Sequence, residues 1–144
     1  AGLTTLAGCA TAQAVEAATT AIAEARRNGS RLDPARIADL DFDAVAWAQD
    51  GGDPRAAALL AHAGLSPDLT ALCQQAEAAA GRPVSLAFAL ALIGRRLDLP
   101  REGALDLLLI ARLTGLLAHA ADQVLNGSPI RARLRYVGPE PGAN

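Results

Sequence analysis

The feature that most constrains this chain is the stretch Leu105-Asp106-Leu107-Leu108-Leu109-Ile110-Ala111-Arg112-Leu113-Thr114-Gly115-Leu116-Leu117-Ala118-His119-Ala120-Ala121. A bilayer span needs about 20 consecutive, predominantly apolar residues, and here Asp106, Arg112 and His119 break the run. The pattern predicts a long helix over roughly 103–125, ended by Asn126-Gly127 and seated in a protein core rather than in lipid. Beyond it, a segment with Pro129, Pro139 and Pro141 has no core of its own and is expected to lie extended on another surface.

Composition narrows the class. The chain has 144 residues and is 51% hydrophobic, enough for one core or for parts of two domains, yet only 3% aromatic. Strands favour aromatic and β-branched residues, whereas abundant alanine suits closely packed helices, so an all-α protein is expected. All thirteen basic residues are arginine and the net charge is -2. No basic stripe suited to a phosphate backbone is present, and no nucleic-acid partner is expected. Cys9 and Cys73 have neither C-x-x-C nor Cys/His ligand spacing, so two reduced, buried thiols are expected and no metal. The N-terminus shows no charged segment followed by an apolar signal core, which makes the cytoplasm the expected compartment and leaves no membrane partner. The opening at Ala1, inside a helical pattern, is what a fragment, a cleavage product or a trimmed chain would give.

Local signals divide the chain further. A helix is expected over 10–27, stopped at Asn28-Gly29, and a short one from Asp33-Pro34 through Ile37. Gly51-Gly52 turns the chain into Asp53-Pro54, where proline occupies a first helical position, and this helix runs to His62 or Ala63. Gly64 ends it, Ser66-Pro67-Asp68 opens the next as far as about Ala80, and a helix apolar nearly all round follows over 85–97, closed by Asp98-Leu99-Pro100.

The closing segment resembles the end of a citrate synthase. Chains of that family finish on a long helix with an arginine near its start and an Ala-His pair farther on, then an Arg-Pro-Arg-x-x-Tyr-Val-Gly-Pro tail. Here Arg131-Ala132-Arg133-Leu134-Arg135-Tyr136-Val137-Gly138-Pro139 keeps all but the proline, replaced by Ala132. Three further segments fit in the same order. Leu6-Ala7-Gly8-Cys9-Ala10 resembles Leu-His-Gly-Gly-Ala. Asp50-Gly51-Gly52-Asp53-Pro54-Arg55 is similar to the segment in which Asp-Pro-Arg follows Gly-x-Gly-His. Ser85-Leu86-Ala87-Phe88 resembles an Asn-Val-Asp-Phe helix start.

The resemblance implies the C-terminal half of a citrate synthase-like helical fold. Residues 1–9 would belong to the large domain, 10–102 to the small cap domain, and 103–144 to the closing helix and arm of the large domain. The family's condensation removes an α-proton from an acyl-CoA and adds the carbanion equivalent to a keto acid, which requires a positioned base and hydrogen-bond donors to the developing charge. In this register the base position is Ala87 and the two histidine positions are Ala46 and Ala7. Groups of this kind typically contribute about 10²–10⁴ each, so negligible condensation is expected. The resemblance also places Arg55, Arg112 and Arg131 on carboxylate-binding positions, the last reaching across a dimer interface, and bidentate guanidinium is the natural carboxylate clamp. Internal ion pairing through Asp53, Asp106 or Asp122 is the alternative use of these arginines. Arg112, within an apolar helix, needs an anion, a carbonyl cluster or a surface position.

His62 and His119 do not fall on the family's catalytic positions and read as structural. Arg26-Arg27 and Arg95-Arg96 read as solvated pairs at helix ends, where the helix dipole favours cations. Trp47 is either a core plug or a pocket wall, and Cys9 a small apolar replacement or a reactive thiol. Two functions follow. One is a degenerate family member that binds a di- or tricarboxylate or a CoA thioester, or stabilises a partner. The other is an active acyltransferase with altered groups supplied by a partner. No resident cofactor is expected, and CoA thioester enters as a substrate or ligand. The partner is a second copy of this chain or a polypeptide supplying the N-terminal half, without which apolar surface stays exposed.

Overall fold

A computed structural model of the chain describes residues 9–38, 40 and 52–127. The expectations placed on Ala7, Ala46, Trp47 and Arg131 lie outside the described residues. Among those described, the structure is all-helical, with α1 Cys9–Arg27, α2 Pro34–Ala38, α3 Pro54–His62, α4 Pro67–Ala80, α5 Leu86–Arg96 and α6 Gly103–Asn126.

Helix ends follow the local chemistry. After α1, Gly29 takes a left-handed φ of +70°, and the Ser30 N–H turns back to the Ala25 carbonyl at 2.9 Å. Gly81 closes α4 in the same left-handed region, its N–H bonded to the Glu77 carbonyl. Asp53 caps α3 by accepting from the Arg55 N–H at 2.9 Å, with Pro54 at the first helical position. Ser85 caps α5 by accepting from the Phe88 N–H at 3.3 Å.

The core forms where α1, α4 and α5 meet. Ala18, Ala21, Ile22 and Ala25 of α1 pack with Leu72, Cys73 and Ala76 of α4 and with Phe88, Ala91 and Leu92 of α5. Of these, the fully buried Ile22, Leu72, Phe88 and Leu92 each contribute about 1.5–3 kcal/mol, and the alanines less. Gln75 ties the post-α1 turn to this core: its Oε1 accepts from the Leu32 N–H at 3.1 Å and its Nε2 donates to the Ser30 carbonyl at 3.1 Å. A second cluster joins Ala14 and Val15 of α1 to Leu86, Ala87 and Leu90 of α5 and to Ala104 at the start of α6. Gly94 and Ala104 make the α5–α6 crossing close, because a Cβ on Gly94 would lie 3.3 Å from that of Ala104. Shared contacts at both ends set α1 and α5 side by side in the same direction.

The helix expected at the core is a helix, but most of it is not in the core. Gly103 and Ala104 are buried and Leu105 and Leu107–Leu109 partly so, whereas Ile110 is 64% exposed, Leu117 62%, Val124 84% and Leu125 79%. The reason is geometric. The 24-residue helix meets α1 and α5 only through its opening turns, Ala104 to Leu108, and its distal half, carried on at about 1.5 Å per residue, meets no described surface.

Candidate functional site

Of the residues implied by the family resemblance, Ala87 and Arg55 come together around the start of α5. Gly52, at φ +85°, lets the chain turn tightly into Asp53, and its Cα side faces Pro83 so closely that a Cβ would lie 3.0 Å from the Pro83 Cβ. Pro83 leads directly into the Ser85 cap, so the Asp53-Pro54-Arg55 turn and the first turn of α5 are neighbours. Ala87 is 2% exposed and packs within the cluster of Val15, Leu90 and Ala104. A methyl group in that apolar setting neither abstracts a proton nor polarises a carbonyl.

Arg55 is engaged by its own turn. Its Nε meets Asp53 Oδ1 at 2.9 Å and Oδ2 at 3.2 Å, and its Nη2 meets Oδ2 at 2.7 Å, a bidentate fork on a carboxylate whose side chain is only 2% exposed. This pairing holds the Asp53 carboxyl below its usual range, first through the Arg55 hydrogen bonds and against the opposing effect of burial. The same bond raises the already high Arg55 pKa. Asp53 thus serves as helix cap and as counter-ion, which is the structural alternative foreseen for Arg55. An incoming carboxylate would compete with an internal one already in place.

Arg112 occupies the surface position. Ala104, Leu108 and Arg112 recur every four residues and share one face of α6, the face that docks on α1 and α5. Arg112 lies one turn past the last docked leucine and is exposed, with no hydrogen bond or ion pair among the described residues. Gly115, His119, Asp122 and Asn126 continue this polar face, and Asn126 Nδ2 donates to Asp122 Oδ1 at 3.0 Å. The opposite face carries Ile110, Leu113, Leu117, Ala120 and Val124 at alternating spacings of three and four. Hence the apolar stripe points away from the body of the protein. The structure brings Ala87 and the Asp53–Arg55 turn into neighbouring elements, and it puts Arg112 on the helix that leaves them.

Both histidines are exposed. Cys73 is a buried free thiol, and burial together with the nearby Glu77 pushes its pKa up to about 11. No group of three or more metal-ligating side chains occurs among the described residues. The two helix-end arginine pairs are exposed, and two of their members also make contacts: Arg26 lies 3.7 Å from Asp68, and Arg96 Nε donates to the Gly64 carbonyl at 2.8 Å. Arg27 and Arg95 instead line one cleft together with Arg101. Sequence reasoning missed that convergence. The available signal was that α1 and α5, two parallel helices, each end in Arg-Arg.

No family model, no curated protein and no solved structure matches the chain.

Proposed function

We propose that this chain is the C-terminal half of a citrate synthase-like fold, without the family's catalysis, that works as a partner-stabilising subunit. The observation that carries this reading is α6, whose outward face sets Ile110, Leu113, Leu117 and Val124 in a continuous exposed stripe. Exposed apolar surface on this scale marks an interaction site. The occupant in this reading is a separate helical polypeptide, a second copy of this chain or one that supplies the upstream helices of the fold. Alanine at position 87 and the closed Asp53–Arg55 fork favour a role in assembly over one in acyl transfer. An active acyltransferase would need a base and an acceptor clamp from elsewhere.

A bilayer is the competing occupant, since α6 has the length and mean hydropathy, 1.5 over its most apolar window, of a spanning helix. Magnitudes decide against it. Its ten Leu, Ile and Val residues gain about 0.3–0.6 kcal/mol each on insertion. Arg112 near the centre costs about 2.5–3.5 kcal/mol, and Asp106, His119 and Asp122 add to that. The sum lies near zero, whereas a protein partner buries the stripe and leaves the charged face in water. The reading therefore keeps the cytoplasm as its compartment.

The test is the native mass and polypeptide composition of the assembly purified from the cells that make this chain, with and without Leu113→Gln and Leu117→Gln. A mass above that of one chain that drops to one chain in the double variant is the expected result. A wild-type chain that stays monomeric and well dispersed without detergent overturns the partner reading. CoA-thiol release from acetyl-CoA and oxaloacetate at ordinary enzymatic turnover overturns the loss of catalysis.

A further inference from the structure

Between the C-terminal halves of α1 and α5 lies a cleft of about 330 Å³, lined by Thr19, Thr20, Ala23 and Arg27 of α1, Ala91, Gly94 and Arg95 of α5, and Leu99, Arg101 and Ala104 beyond. Its volume falls at the small end of ligand pockets, roughly 300–1,000 Å³. The floor is apolar, the rim carries Arg27, Arg95 and Arg101, the last already paired with Glu16, and no carboxylate lines it.

The adjoining groove, which shares Thr20 and Arg101 with the cleft, shows what internal neutralisation looks like. There Glu16 pairs with Arg101 at 2.6 Å and Glu24 with Arg36 at 3.3 Å. In the cleft, Arg27 makes no ion pair among the described residues, and Arg95 meets only Asp98 at 3.7 Å, a carboxylate that is 89% exposed. The Thr20 hydroxyl, at the cleft wall, makes no hydrogen bond among the described residues. Helix ends alone account for arginine at each terminus. They do not account for the convergence of Arg27 and Arg95, from two helices, on one hollow that no carboxylate lines.

The loop on one side of the cleft is tied to α5 by backbone hydrogen bonds. The Leu99 N–H bonds to the Gly94 carbonyl at 2.9 Å and the Gly103 N–H to the Pro100 carbonyl at 2.9 Å. Gly103 admits Leu99 so closely that a Cβ there would lie 2.6 Å from the Leu99 Cβ, and Asp98 takes a left-handed φ of +51°. The loop that presents Arg101 is therefore pinned to the end of α5.

We propose that this cleft binds a small amphiphilic oxyanion, a phosphate or carboxylate group carried on a short apolar body. The oxyanion meets Arg27 and Arg95 with Thr20 beside them, and the apolar body lies on Ala23, Ala91 and Leu99. The site is separate from the start of α5, because Arg95 follows Ala87 by about 12 Å along the helix axis. It does not depend on the family resemblance or on the α6 partner.

The test is calorimetric titration of the full chain with hexyl phosphate and hexanoate, set against inorganic phosphate and 1-hexanol. Saturable binding of at least one hexyl anion is expected, tighter than either inorganic phosphate or hexanol; which anion binds better distinguishes a phosphate from a carboxylate ligand. Replacing both guanidiniums in the Arg27→Gln, Arg95→Gln variant should weaken it by about tenfold or more. Ala23→Leu fills the cleft without changing charge and should abolish binding, with circular dichroism confirming that both variants fold. No saturable binding of either anion, equal binding of hexanol, or unchanged affinity in either variant overturns the proposal.

Discussion

Consecutive helices α5 and α6 are both rich in leucine and alanine, yet they end in opposite environments. Every residue from Leu86 to Leu92 is buried, because α5 runs between α1, α3, α4 and the first turns of α6. In α6 only Gly103 and Ala104 are buried. Apolar composition drives a helix to leave water, but it needs a surface long enough to receive it. The described chain builds that surface for eight of the eleven residues of α5 and for only the opening turns of the 24 in α6.

Substitution separates the two environments most sharply. Phe88→Ala removes a ring that is 1% exposed and should cost about 3–5 kcal/mol, read as a lowered denaturant midpoint. Leu117→Ala, at a site 62% exposed, should shift the stability of the single chain by no more than about 0.5 kcal/mol. A large loss for Leu117→Ala in a monomer would break the contrast, since it would mean that α6 is already packed within one chain.

A smaller effect is expected at the α3 cap. Asp53→Ala removes both the cap and the counter-ion of Arg55 and should cost about 1–2 kcal/mol; the half-exposed guanidinium can turn to water, which keeps the penalty from growing. The same carboxylate sets an acid limb. Its folded pKa lies below its unfolded value, so its contribution is complete above the ordinary aspartate range, near pH 4, and is lost as pH falls through the depressed folded value. Urea midpoints followed downward from pH 7 should therefore fall less steeply below pH 4 for Asp53→Asn than for the parent chain. Parallel acid limbs would remove Asp53 from that account.

The mildest test concerns Cys73. Its pKa of about 11 leaves almost no thiolate at neutral pH, and its sulfur is buried between α1, α4 and α5. Alkylation by iodoacetamide at pH 7.5 should follow global unfolding and speed up with denaturant. Rapid labelling of Cys73 in the native protein would show that this part of the core opens far more easily than its packing implies.

Much of this architecture was legible in the residues themselves. Asn28-Gly29, Asp53-Pro54, Ser66-Pro67 and Ser85 sit where the backbone must leave or enter a helix, and their chemistry acts within a few residues. The burial of α5 was legible too, from a helix apolar on every side. The site was harder to read. That Asp53 closes on Arg55 could be suspected from their proximity in sequence, but the fork distances required coordinates, and nothing local shows that Arg27, Arg95 and Arg101 border one cleft.

Taken alone, the order of amino acids determined that the chain is helical, where its helices start and stop, and that position 87, at the head of α5, carries no acid. These properties depend on propensity, capping and side-chain identity, all short-range. Only the tertiary structure decided which apolar helix is sheltered, which arginine is neutralised and which remain open to an anion. Those outcomes depend on contacts between residues tens of positions apart, and such contacts exist only once the helices have packed.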